Sequence, residues 1–181
     1  MLTDSAAGRL LVISGSTRSE SANSALCRTV MSFASGELIV DGVLDVAMLP
    51  HFNPDDDHEP LPATVSALRS AIAAADAVLF CSPEYAGTLP GSFKNLLDWT
   101  VGGNELTGKP VAWVKVAPDA RRGEGAHATL ATVLGYVQAV VVDDACRHIP
   151  VTSELIGPDG LITDAVTLRA IEETVRAVLP A

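Results

Sequence analysis

The chain is predicted to fold as an α/β sandwich, a five-stranded parallel sheet with helices on both faces. Short β-rich runs alternate with segments of helical period along the length of the sequence. The central runs are continuously apolar, as strands buried on both faces require. Composition agrees: 181 residues, 48% apolar and 19% charged, with no low-complexity tract, suffice for one buried core and are short for two. Residues 1–181 are therefore read as one domain.

In order, the apolar run Arg9–Ser14 is the first strand, followed by a hydroxyl-rich turn and a helical pattern over Asn23–Ala34. Glu37–Val46 is β-rich and interrupted by Gly42, and His51–Pro62 is a Pro-bounded acidic loop. A helix over Ala63–Ala75 leads to the third strand, Asp76–Ser82. A helix over Pro90–Val101 opens on proline, and Lys109–Val116 is the fourth strand. Gly125–Val137 and Ala139–Asp144 form another helix and strand, and Asp164–Leu179 is the last helix. In a sheet of order 2-1-3-4-5, ligands bind beyond the carboxyl ends of the strands where the order reverses, which places the turns after strands one and three beside the crevice.

A formal charge of −10 opposes binding to a phosphate backbone, so nucleic acid is not an expected partner. No stretch reaches the length of a membrane span and the first residues lack a secretory pattern, so a cytoplasmic location is expected. Three widely spaced cysteines, Cys27, Cys81 and Cys146, suit neither a disulfide framework nor a zinc site and are read as thiols. His51 and His58 flank three aspartates, but contiguous residues in a Pro-bounded loop point in several directions, so no metal site is assigned there. His127 and His148 have no visible partners.

The first turn, "SGSTRSESANSAL" (Ser14–Leu26), holds five serines, a threonine, an arginine and an asparagine. Free N–H groups at a helix start hold phosphate, and hydroxyls with one guanidinium add directed donors. An ordinary helix cap explains one or two of these residues, but not Arg18 as well. The turn has neither the GxGxxG of a dinucleotide fold nor the GxxxxGK[ST] of a triphosphate loop, so a mononucleotide phosphate held by side chains fits better.

The third strand runs into "PEYAGTLPGSFKNLLDW" (Pro83–Trp99). This stretch and "GSTRSESAN" (Gly15–Asn23) resemble the NADPH-dependent FMN reductase family of flavodoxin-like enzymes, whose corresponding stretches read PEYNGSxPGxLKNxxDW and GSxRxxSxN. The resemblance implies a flavodoxin-like three-layer sandwich with FMN as cofactor and NADPH or NADH as hydride donor. It further implies that Ser16, Arg18, Ser21 and Asn23 bind the FMN phosphate, and that Pro83, Glu84, Tyr85, Ala86 and Gly87 wrap the isoalloxazine ring. Homodimers or homotetramers are implied as well. Hydride transfer itself calls for no protein acid or base, and none is assigned. Phe93, Leu96, Leu97 and Trp99 lie at helical spacing and are read as core or subunit-interface residues, and Lys94 with Asp98 as a structural pair.

Two departures stand out. Ala86 occupies the position where the family form has Asn, and "APDARRGEGA" (Ala117–Ala126) replaces a small Ser/Gly-rich loop. Arg121 and Arg122 in that loop are either solvated or a seat for the 2′-phosphate of NADPH. The resulting expectation is an enzyme that passes hydride from NAD(P)H to FMN and on to a quinone, azo, metal-oxyanion or flavin acceptor by ping-pong turnover. The alternatives are a flavodoxin-like electron carrier, which the acidity favours, and an FMN-binding sensor without turnover.

Overall fold

The computed structural model describes residues 8–43 and 45–180. Five helices, α1 (Ala22–Met31), α2 (Ala63–Ala74), α3 (Gly91–Asp98), α4 (Glu124–Tyr136) and α5 (Ala165–Val178), cover a sheet of six strands. The strands are β1 (Gly8–Ser14), β2 (Leu38–Val43), β3 (Ala77–Cys81), β4 (Pro110–Lys115), β5 (Val140–Val141) and β6 (Arg147–His148). All pairings are parallel, in the order β2-β1-β3-β4-β5, with β6 also on β4. The expected architecture is the observed one.

Side chains alternate across the sheet, so each central strand feeds two cores. Leu10 and Val12 of β1, with Leu79 and Cys81 of β3, pack under α1 and α5 beside Leu26, Val30, Ile171 and Val175. Leu11, Ile13, Val78 and Phe80 face the opposite way, against Leu68, Ile72, Phe93, Leu97 and Leu130 of α2, α3 and α4. This double burial is why β1 and β3 read as unbroken apolar runs.

Two edges differ from expectation. β2 is shorter than Glu37–Val46: it keeps Gly42, where the Met31 side chain leaves no room for a Cβ, and Val46 already opens a short 3-10 turn. Leu44 lies outside the described residues. The predicted strand Ala139–Asp144 is broken after Val141, because Asp143–Ala145 form a 3-10 turn that buries Ala145. The edge then returns to β4 as β6, using six residues from Val141 to Arg147 where β4 uses three from Val111 to Val114.

The residues Phe93, Leu96, Leu97 and Trp99 are wholly buried within the one chain, which settles their role as core. Trp99 Nε1 and Asn95 Nδ2 both donate to Pro50 O, and Phe52 N donates to Asn95 Oδ1, so α3 fastens the start of the acidic loop. Asp57 in that loop is fixed by Arg69, 2.6 Å away, and Lys94 lies 2.5 Å from Asp98.

Candidate active site

The first turn begins at Gly15, whose N–H donates to Cys81 O at 2.8 Å. A Cβ there would lie 2.5 Å from Ser82 Oγ and 2.8 Å from Phe93 Cγ, so glycine lets the turn press against the end of β3. Hydroxyls then shape it. Ser16 Oγ accepts from Arg18 N, Ser24 Oγ donates to Arg18 O, and Ser21 Oγ accepts from Ser24 N as the N-cap of α1. The backbone N–H groups of Ala22 and Asn23, in the first turn of α1, have no acceptor among the described residues. They are the orphan donors a helix start offers to an anion. Asn23 Oδ1 accepts from the Cys81 thiol at 3.2 Å.

After β3 the chain makes a two-residue reversal. Tyr85 and Thr88 exchange backbone hydrogen bonds of 3.0 and 3.1 Å around Ala86 (φ 50°) and Gly87 (φ 77°). Left-handed backbone at both central positions defines a type I′ turn. The turn is docked on α4. Glu84 Oε2 accepts from Ala126 N at 3.1 Å, and Thr88 Oγ1 lies 2.9 Å from Thr129 Oγ1. Gly125 approaches so closely that a Cβ there would fall 2.0 Å from Gly87 O.

Past β4, Lys115 Nζ donates to Ala120 O, and Asp119 holds the next turn through Arg121 N. The cleft between these three loops has a volume of about 580 Å³, within the roughly 300–1,000 Å³ typical of small-molecule sites. It sits beyond the carboxyl ends of β1, β3 and β4, at the point where the strand order reverses. Arg18, Lys115 and Arg122 border it, and neither arginine has an ion-pair partner among the described residues. With Glu20 and Glu84 also on its lining, the cleft carries a small excess of positive charge in a chain of net charge −10, which favours anionic ligands locally. The profile of the NADPH-dependent FMN reductase family matches residues 9–152.

The chain belongs to that family.

It is thus an oxidoreductase, with FMN and a nicotinamide dinucleotide as the cofactors that membership carries. The reductase is 34% identical to a quinone reductase of Pseudomonas putida over 142 residues, covering 77% of this chain and 73% of the relative. It is 32% identical to an NADPH azoreductase of a Bacillus species over 164 residues, 87% of this chain and 88% of the other. Among solved structures, the flavoenzyme NAD(P)H:(acceptor) oxidoreductase FerB of Paracoccus denitrificans superposes with a TM-score of 0.79 at 29% identity, covering 94% of this chain and 97% of that one.

Of the residues singled out in the sequence of the reductase, Arg18, Ser21, Asn23, Pro83, Glu84, Ala86, Gly87 and Arg122 border the cleft. Three do not. Ser16 is 2% exposed, Tyr85 is half exposed, and Arg121, unlike its neighbour Arg122, is not among the cleft residues. Sequence reading missed Lys115, at the end of β4, and Val151, Ser153 and Ile156, which follow β6. The strand-end position of Lys115 was the available signal, whereas the last three reach the cleft only because the sheet edge is broken.

The donor set fits FMN. Two helix-start N–H groups, the Asn23 amide and Arg18 suit a dianionic phosphate, and the small residues Ala86 and Gly87, with Pro83, leave room for a flat ring at the edge of the cleft.

His127 of α4 lies outside this cleft, in a separate hollow with Trp113, Lys115 and His148, and is stacked on Trp113 with ring centroids 5.9 Å apart. Its Nε2 is buried without a partner among the described residues. Burial, and after it the Lys115 ammonium, lower its pKa to about 4, so the ring is neutral near pH 7.

Proposed function

We propose that the chain, as a single FMN-binding domain over residues 1–181, is a reductase that oxidises NAD(P)H and reduces a small acceptor in one shared cleft. The carrying observation is the cleft itself: phosphate donors on the first turn and a backbone-lined edge at Pro83–Gly87, both at the switch point of the sheet. FMN, held there, would supply the two-electron redox chemistry that couples nicotinamide oxidation to reduction of the second substrate.

Arg18, Asn23 and the start of α1 hold the phosphate end, with Ser21 shaping the helix start as its cap. Ser16 supports that turn from beneath through Arg18 N. The reversal at Ala86 and Gly87 orients the ring, and Tyr85 shapes that reversal through its backbone hydrogen bonds with Thr88. Main-chain donors near Gly87 favour negative charge on the reduced ring. Because one opening serves both substrates, turnover is ping-pong. The names of the relatives support a quinone or azo compound as acceptor, with metal oxyanions and free flavins as further members of the class. The enzyme works in the cytoplasm as a homodimer or homotetramer.

Of the two neighbouring arginines, Arg122 receives the 2′-phosphate of NADPH, since it borders the cleft and Arg121 does not. Arg122→Ala lowers kcat/KM for NADPH by roughly tenfold, the size of one charged hydrogen bond, and leaves NADH unchanged, whereas Arg121→Ala changes neither. An unchanged NADPH-to-NADH preference in Arg122→Ala contradicts the assignment. The rival reading, an FMN electron carrier or sensor, draws on the net charge of −10. Such a protein would hold flavin that NAD(P)H fails to reduce.

A further inference from the structure

We propose that Cys81 is a positioning residue for the cofactor site: its thiol fixes the side-chain amide of Asn23 so that the N–H donors of that amide face the phosphate seat. The inference rests on reading the first turn as that seat.

Cys81 ends β3 and is wholly buried on the α1 side of the sheet, in one core with Leu26, Cys27 and Val30. Its sulfur lies 3.2 Å from Asn23 Oδ1, and Asn23 both borders the cleft and is 6% exposed. A primary amide has two unlike ends. One accepts and the other donates, and a half-turn exchanges them. What chooses between the two arrangements is the group on the core side.

A thiol is a hydrogen-bond donor and a poor acceptor, and a thiolate would be an acceptor only. Burial raises the Cys81 pKa well above its ordinary value, and the adjacent Cys27 thiol adds to this, so the proton stays on sulfur. The S–H therefore takes the carbonyl oxygen, and the Nδ2 hydrogens are left at the opposite end. Nδ2 has no acceptor among the described residues. Asn23 is also the second residue of α1, so its free backbone N–H and its side-chain donors belong to one helix start. An anion there is offered a main-chain N–H and an amide N–H by a single residue, the amide set by the core before binding. Preorganisation of this kind raises affinity by removing an ordering cost.

The bland alternative is that Cys81 is a small apolar filler, a common role for a buried cysteine. A filler affects every flavin alike, whereas an orienting donor affects only a ligand that carries the phosphate. The test measures the dissociation constants of FMN and of riboflavin, which lacks the phosphate, for the full chain and for Cys81→Ala, Cys81→Val, Cys81→Ser and Asn23→Ala. Expected results are a roughly tenfold weaker FMN complex in the Ala and Val variants with riboflavin unchanged, and FMN binding restored by serine, whose hydroxyl also donates. Riboflavin binding reports that each variant is folded, and Cys81→Val keeps the packing where Cys81→Ala leaves a cavity.

Loss of FMN and riboflavin affinity in parallel, or no loss of either, in Cys81→Val overturns the inference while Asn23→Ala still weakens FMN selectively. If Asn23→Ala itself leaves the preference for FMN over riboflavin intact, the phosphate seat is elsewhere, and the reading on which the inference rests fails with it.

Discussion

Ala86 holds a left-handed backbone, φ 50°, that costs an L-residue about 1–2 kcal/mol relative to glycine. Asparagine tolerates it better, and Asn-Gly is the favoured pair for a type I′ turn. Ala86→Asn is expected to raise unfolding free energy by on the order of 0.5–1 kcal/mol, seen as a higher urea midpoint at unchanged slope; an unchanged or lower midpoint contradicts the turn assignment. The departure from the family's Asn at this position is therefore a backbone matter, and φ is not written in the sequence. His127 gives a pH dependence of defined sign. Its pKa is about 4 in the folded chain against 6.5 unperturbed, so between those values the unfolded chain binds more protons. This stability contribution is complete above pH 6.5 and is lost as the pH falls to about 4. Denaturation of His127→Phe across that window should show a shallower slope than the parent, by up to one proton; identical slopes count against a neutral buried ring.

Glu84 shows how one element is tied to another. Read in sequence it belongs to a flavin loop, and in the structure its carboxylate accepts from Ala126 N, capping α4 from 42 residues away. A carboxylate at a helix start complements both the free N–H and the helix dipole. Glu84→Ala should cost about 1–2 kcal/mol, and Glu84→Gln, which keeps an acceptor oxygen, much less. Thermal melts of the two variants decide this, and equal losses would count against capping. Local patterns were legible: helix periods and the apolar runs of β1 and β3 all follow from nearest neighbours. The Glu84 cap, the Cys81–Asn23 bond and the split of β5 from β6 were not, because each depends on a partner brought close only by the sheet. Lys115 illustrates the same limit. Within the predicted strand Lys109–Val116 it carried no signal of its own beyond its place near the strand's end, and it is a cleft residue beside the loop whose Ala120 O accepts from its Nζ.

Across the whole molecule, the parallel order β2-β1-β3-β4-β5 sends the loops after β1, β3 and β4 to one end. That arrangement gathers Arg18, Lys115 and Arg122 around one opening in a chain whose net charge is −10. A negative net charge is thus compatible with a local attraction for phosphorylated cofactors. No helix among the described residues is long and apolar enough to cross a membrane. Fold and family were both legible from strand–helix alternation and two loop motifs, since these features are local; the second substrate was not, because an open cleft with few directed groups constrains it weakly. The most direct test is an anaerobic absorption spectrum of the protein with FMN, recorded before and after one equivalent of NADPH and, separately, of NADH. Bleaching of the bound flavin's visible band by at least one donor, with colour restored by a quinone, is the predicted result. Flavin that binds and stays oxidised with both donors would contradict the reductase reading.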